Sequence, residues 1–217
     1  MKKMIEHEIG GKILFAFMRF FGALIARPKI IAGKENLRII SDGNAVVIAN
    51  HRHWFDPVVL LPLLPGAVRT MAKAELFRSR LISGVLRSAG AFPVRRGEND
   101  LGAFRQAAMI LKKGQSLLIY PEGTRNKGET LLPFHSGAAA LALRNRSVVL
   151  PVYTIPFIPV ISRAKIIVGQ PIDLDSAVPK EAGAGKRAQN ANELLQSEME
   201  KISRLPVIRK NDKIFHN

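Results

Sequence analysis

AVVIANHRHWFDP, residues 45–57, sets an unbroken aliphatic run directly before two histidines, a tryptophan, an aspartate and a proline. The run predicts a strand over residues 45–50, because small and β-branched apolar residues in succession suit a strand covered on both faces. Pro57 is favoured at the first position of a helix, and the apolar residues that follow predict a helix over 57–64. Strand, short polar turn and helix form the repeating unit of an α/β fold.

The alternation extends in both directions. Short strands are predicted at 29–33, 68–72, 91–94, 116–120, 148–153 and 165–168. Helices are predicted at 74–89, where apolar residues fall at 76, 77, 81, 82, 85 and 86, at 100–113 between a cap at Asn99 or Asp100 and Gly114, and at 136–144. The fold class expected is α/β, a central sheet, mostly parallel or mixed, flanked by helices. Residues 176–190 (SAVPKEAGAGKRAQN) are small and polar and predict a flexible linker. A last helix then places Leu194, Leu195, Met199, Ile202 and Leu205 on one face, and the basic tail after Pro206 reads as a solvated end.

A chain of 217 residues fits one domain with small appendages. Its 47% hydrophobic and 23% charged content excludes a disordered chain, and with only 6% aromatic residues the core must be mostly aliphatic. The 33 Lys and Arg against 17 Asp and Glu give a net charge of +16, which concentrates anions: nucleic acid, an anionic lipid surface or a phosphorylated substrate. There is no cysteine, which rules out disulfides, thiolate catalysis and cysteine-ligated zinc. His7, His135 and His216 have no partners at metal-ligand spacing, so no metal is expected and these histidines read as surface or structural residues.

ILFAFMRFFGALIA, residues 13–26, is apolar around the whole helix except at Arg19. As a helix it is roughly 21 Å long at about 1.5 Å per residue, short of the roughly 30 Å hydrocarbon slab. Flanked by Lys2, Lys3, Lys12, Arg27 and Lys29, it predicts an interfacial, monotopic anchor over residues 1–28, followed by one globular domain over 29–217. A helix buried against its own domain is the alternative. A cleaved signal peptide fits poorly, because Gly10-Gly11 interrupts the run and Leu24 spoils the small-residue cleavage pattern.

Side chains just beyond the carboxyl ends of strands in an open α/β sheet face the crevice where ligands bind. His51 is at such an end, and Asp56 is placed to cap the next helix while turning its carboxylate back toward the imidazole. A carboxylate accepting from one ring nitrogen fixes the tautomer and makes the other nitrogen a base for a hydroxyl proton. A capping aspartate beside a surface histidine fits the same eight residues equally well. His53, two residues on, points elsewhere in an extended segment and reads as structural or peripheral.

YPEGTR, residues 120–125, ends another predicted strand with a tight turn. Arg125 can grip a phosphate through its planar fork, with Glu122 orienting it or reaching a substrate hydroxyl; a turn bearing a surface ion pair is the alternative. GAFPVRR, residues 90–96, ends a third strand with Arg95 and Arg96. Three such edges side by side would make an anion pocket.

In this order, Asn50-His51-x4-Asp56, Gly90 through Arg96, Pro121-Glu122-Gly123-Thr124-Arg125 and Leu150-Pro151-Val152 resemble the four sequence blocks of the glycerolipid acyltransferase family, in particular its bacterial 1-acyl-sn-glycerol-3-phosphate (lysophosphatidate) acyltransferases. Ala72-Lys73-x-Glu75-Leu76 and Phe134-x-x-Gly137-Ala138 are similar as well, so the resemblance covers residues 30–170. It implies transfer of an acyl group from acyl-CoA or acyl carrier protein to the sn-2 hydroxyl, without an acyl-enzyme and without a cofactor. His51 would be the base and Asp56 its orienter; Glu122, Gly123, Thr124 and Arg125, with Arg96 opposite, would hold the acceptor phosphate. The developing oxyanion needs a donor, for which backbone N–H groups or a cation such as Lys73 are candidates. Membrane association at the cytoplasmic face of the inner membrane is implied too. The chain departs from the family pattern with Tyr120 for Phe, Asn126 for Ser, His53 for Ser and Arg80 for Pro, departures that bear on selectivity rather than on the chemistry.

A basic nucleic-acid-binding protein is the rival reading. It accounts for the charge but not for the apolar segment or the His-Asp pair, and no RNA-binding aromatic pair or zinc-finger spacing is present.

Overall fold

In the computed structural model, the described residues are 13, 16, 17, 20, 23–54, 56–66, 68–95, 101–157, 161–180 and 183–205. Strand β2 (Ala45–Ala49) is buried at all five positions, as a central strand with helices on both faces must be. Its neighbours are β5 (Ser116–Ile119) and β6 (Val148–Thr154), both parallel to it. With β1 (Lys29–Ala32), β3 (Val68–Lys73), β4 (Ala91–Val94) and β7 (Lys165–Val168) they form a seven-stranded sheet in the order β1-β7-β6-β2-β5-β3-β4. The five strands from β6 to β4 run parallel; β7 pairs antiparallel with β6 and carries β1 parallel to itself.

The alternating side chains of β2 divide the core. Val46 and Ile48 join the apolar faces of α4 (Leu101–Lys112), α5 (Gly137–Asn145) and α7 (Ala184–Ser203). Ala45, Val47 and Ala49 face the other way, toward Ile40 of α1 (Arg38–Ser41) and Leu60 of α2 (Asp56–Leu60). The crossover leaving β2 thus lies on one face and the crossover from β5 to β6 on the other, and they run in opposite directions along the sheet. That reversal opens the crevice at the carboxyl ends of β2 and β5.

Several expected elements differ. The helix expected over 57–64 stops at Leu60, and Leu61–Leu63 tightens into a 3₁₀ turn, because Pro62 has no N–H to continue the α ladder. Residues 74–89 are two elements, a 3₁₀ turn Ala74–Arg78 and α3 (Arg80–Ser88), separated by extended Ser79, whose hydroxyl accepts the Ile82 N–H. A serine N-cap starts a new helix instead of continuing one. The linker expected over 176–190 is mostly helical: α6 (Leu174–Ala177) runs into its start and α7 begins at Ala184. Arg187 holds α7 to Asp175 at 2.7 Å, while Ala191, Leu195 and Met199 are buried.

Much of the apolar segment 13–26 lies outside the described residues. Those described within it are helical, and Ile13, Phe17, Phe20 and Leu24, at helix-face spacing, each expose more than half of their surface (65%, 59%, 65% and 60%). Ala26 at its end is fully buried beside Val59, Phe157 and Ala164. Among the described residues no helix is long and apolar enough to cross a membrane.

Candidate active site

Parallel register brings the two candidate turns level. Val46, Val47 and Ile48 pair with Leu117, Leu118 and Ile119, so His51 and Glu122 both lie three residues beyond the last pair. The His51 N–H donates to Glu122 Oε1 at 3.0 Å, and the Asn126 N–H donates to the His51 carbonyl at 2.7 Å. A third tie comes from Asn50, whose side chain donates to the Thr154 carbonyl and accepts the Thr154 N–H at 2.9 and 2.8 Å. The carboxyl ends of β5, β2 and β6 are thereby locked together around His51.

His51 and Asp56 are both buried, with Nδ1 to Oδ2 at 2.9 Å. An ionised carboxylate only accepts, so Nδ1 carries the ring proton and Nε2 of the neutral ring keeps a lone pair; no protein group among the described residues bonds Nε2. Oδ2 also accepts the N–H groups of Arg52 at 2.7 Å and His53 at 2.8 Å. Asp56 therefore reaches back into its own turn rather than forward to cap α2 as expected. It makes Arg52 and His53 part of a rigid loop, with His53 edge-on to Phe157. Asp56 Oδ1 is buried and has no partner among the described residues.

The Tyr120 ring stacks on the His51 imidazole, centroids 4.3 Å apart and planes 26° from parallel. The imidazole is thus fixed in its plane by Asp56 and against its face by Tyr120. The phenol hydroxyl has no partner among the described residues, and burial first, the Asp56 charge second, push its pKa well above the ordinary tyrosine value. It remains a neutral phenol throughout the physiological range.

Glu122 does not pair with Arg125. Its Oε1 accepts from His51, and its Oε2 accepts from the Asn126 amide at 2.7 Å and the Leu132 N–H at 3.0 Å. The carboxylate, 2% exposed, has no side open to a phosphate, and its donors account for its burial. Gly123 adopts φ +67°, and a Cβ there would come within 2.7 Å of the His135 ring; the His135 N–H donates to the Pro121 carbonyl. That imidazole packs on the turn, a structural place for a histidine expected to be surface or structural. Thr124 and Arg125 are exposed, and among the described residues no acidic side chain pairs with Arg125.

Lys73 ends β3 on this same edge, exposed and 3.3 Å from Glu75. A hydrogen bond to its own backbone, ahead of the Lys73 contact, lowers the Glu75 pKa. Solvent screens so exposed a pair, which leaves Lys73 free to take other partners. Arg95 follows β4 at the same edge, exposed; Arg96 lies outside the described residues. Asn50 and Asn126 are the site residues whose work was not legible beforehand. The signal for Asn50 was its place at the end of a strand, where an amide can bridge to the next strand.

A buried, oriented imidazole on the same sheet edge as an exposed guanidinium, at the switch point between parallel strands, equips this edge to take a proton from a hydroxyl on an anionic molecule. Residues 30–162 match the Acyltransferase family model, and the chain belongs to that family. A Streptococcus pneumoniae protein called 1-acyl-sn-glycerol-3-phosphate acyltransferase is 34% identical over 140 residues, 61% of this chain and 52% of the relative. A Pseudomonas aeruginosa lyso-ornithine lipid O-acyltransferase is 38% identical over 106 residues, 48% of this chain and 40% of the relative. The chain spans about half the length of the curated relatives it matches. The crystal structure of the 1-acyl-sn-glycerophosphate acyltransferase PlsC from Thermotoga maritima shares the fold, with a TM-score of 0.62 and 22% identity over 92% of this chain and 79% of that one.

Glu122→Gln tests the role the geometry gives this residue. The amide would set an NH₂ group against the donors now served by a carboxylate oxygen. The unfolding free energy from a urea titration should fall by about 3 kcal/mol. A loss within about 0.5 kcal/mol, typical of a surface substitution, would contradict a buried cross-link.

Proposed function

We propose that this chain transfers an acyl group from acyl-CoA or acyl carrier protein to the sn-2 hydroxyl of 1-acyl-sn-glycerol 3-phosphate, giving phosphatidate. The observation that carries the reading is the buried His51–Asp56 pair, 2.9 Å apart, on the sheet edge that also presents Arg125. Family membership and the name of the S. pneumoniae relative support it.

In this reading His51 Nε2 takes the proton of the acceptor hydroxyl as its oxygen attacks the thioester carbonyl. The tetrahedral adduct collapses with cleavage of the C–S bond, and the imidazolium returns the proton to the departing thiolate, so no acyl group is carried by the protein. Asp56 holds the tautomer, Tyr120 supports the ring, and Glu122 positions the His51 backbone. Arg125 grips the acceptor phosphate, with the Gly123–Thr124 backbone beside it and Arg96 as a second cation. Lys73 or a backbone N–H stabilises the oxyanion.

The exposed stripe Ile13, Phe17, Phe20 and Leu24, with a net charge of +16, supports monotopic binding to an anionic membrane, where an amphiphilic acceptor resides. The P. aeruginosa relative, at higher identity, motivates a second reading in which the acceptor is a lysolipid with an amino-acid headgroup and Arg125 meets a carboxylate.

Thiol release from palmitoyl-CoA, with lipid products identified by mass spectrometry, separates these readings when 1-acyl-glycerol 3-phosphate and lyso-ornithine lipid are offered in parallel. Acceptor-dependent phosphatidate is expected, and His51→Ala should lower kcat at least about a thousandfold. Arg125→Ala should raise KM for the phosphorylated acceptor roughly 10- to 100-fold, the loss of one charge-assisted contact. Product from lyso-ornithine lipid alone would select the second reading, and a His51→Ala enzyme within a few-fold of wild type would remove His51 as the base. Replacing Phe17, Phe20 and Leu24 together with Ser should release the protein from phosphatidylglycerol liposomes in a flotation assay; full retention would refute the apolar stripe as the anchor.

A further inference from the structure

The opposite edge of the sheet holds a cleft that the proposed reaction does not use. It has a volume of 360 Å³ and is lined by the amino ends of β3 and β4 and the last turns of α3 and α4. Arg69 pairs in register with Leu117, which pairs with Val46. His51 therefore lies five residues farther along the strand direction, roughly 17 Å at about 3.3 Å per residue.

Among the described residues three cations line this cleft, Arg69, Arg87 and Lys113, and no acidic side chain does. Both arginines are held through Nε alone. Arg69 donates from Nε to Gln115 Oε1 at 3.2 Å, and Arg87 from Nε to Ser83 Oγ at 3.3 Å. The Arg87 guanidinium also lies over the Phe77 ring, 5.6 Å from its centroid. The terminal nitrogens of both forks have no partner among the described residues, so two guanidinium groups are preoriented and still able to bind. Two helix carboxyl ends meet here, each worth roughly half a negative charge. They offset about one of the three positive charges and leave an excess of about two.

Met109 and Ile110 add an apolar wall, and Met109 is 56% exposed although its helix is otherwise well buried on its inner face. The volume falls in the range of small-molecule sites. We infer that this cleft is a second phosphate-binding site, taking a phosphomonoester dianion carried on an apolar or planar body. The dianion matches the excess charge, the two forks match its oxygens, and Met109 with Ile110 matches the body. A soluble nucleotide and a lipid headgroup both carry that chemistry, and the test separates them.

Full-length protein in detergent micelles, labelled with ¹³C at the methionine methyls, reports on the site through Met109, with buried Met199 of α7 as the internal control. Inorganic phosphate, adenosine 3′,5′-bisphosphate and dihexanoyl phosphatidate are titrated separately. The Met109 methyl signal should move saturably with at least one organic probe, with a midpoint at least tenfold below that for inorganic phosphate. The probe that does so identifies the source, nucleotide or lipid. In Arg87→Gln/Lys113→Gln protein whose Met199 signal is unchanged, that midpoint should rise at least tenfold. A Met109 signal unmoved by all three probes, or one that responds equally well in the double variant, would overturn the site. Equal midpoints for inorganic phosphate and both organic probes would overturn the assignment of an apolar or planar body.

Discussion

The Glu122 carboxylate is the constraint on which the site depends. Buried between two loops, it accepts the His51 N–H, the Asn126 amide and the Leu132 N–H, groups separated by up to 81 residues in sequence. Because a buried carboxylate is stable only with its donors in place, the turn after β2 and the turn after β5 form together or not at all. The parallel register of β2 and β5 makes this possible by bringing the two turns to the same height. His51 then needs little further restraint: Asp56 fixes its tautomer and Tyr120 its plane. The protein's own groups thus orient the imidazole, the preorganisation that the proposed proton transfer calls for.

The legible parts of this architecture were those whose cause is local. Val46 to Ala49 read as a buried strand and Pro57 as a helix start because periodicity and proline geometry act within a few residues. The proximity of His51 and Asp56 follows from the short chain between them, four residues. Glu122 reads from sequence as a partner for Arg125, because an acid three residues from an arginine looks like an ion pair. Its real partners are set by strand register, which no short window displays. Residues 184–190 look flexible in composition, yet Ala191 packing and the Arg187–Asp175 contact hold them in a helix. Tertiary contacts outweigh weak local propensity there. Asp56 turns its carboxylate back to the imidazole as its spacing predicts, but it serves the Arg52 and His53 N–H groups instead of capping the helix ahead, which an isolated Asp-Pro pair does not reveal.

Charge organises the rest of the molecule. Lys73, Arg95 and Arg125 gather at the carboxyl ends of the strands, and Arg69, Arg87 and Lys113 at the amino ends of β3 and β4 and the ends of α3 and α4. The buried acids Asp56 and Glu122 take internal N–H donors and form no ion pair with the cations of either edge among the described residues. Part of the net charge of +16 is thus gathered at the two ends of the strands, apart from the exposed apolar helical stripe of Ile13, Phe17, Phe20 and Leu24.

Asp56→Asn tests the central claim most directly, because the amide is nearly isosteric with the carboxylate. Its carbonyl can keep the three donors now on Oδ2, with the NH₂ at the unpartnered Oδ1 position. The measurement is kcat for acyl transfer, with circular dichroism confirming the fold. With the tautomer kept and only the carboxylate charge removed, kcat should fall at least about 10²-fold if Asp56 supports His51 as a base, since general acid–base catalysis contributes roughly 10²- to 10⁴-fold. A folded Asp56→Asn protein with kcat within tenfold of wild type would contradict the dyad.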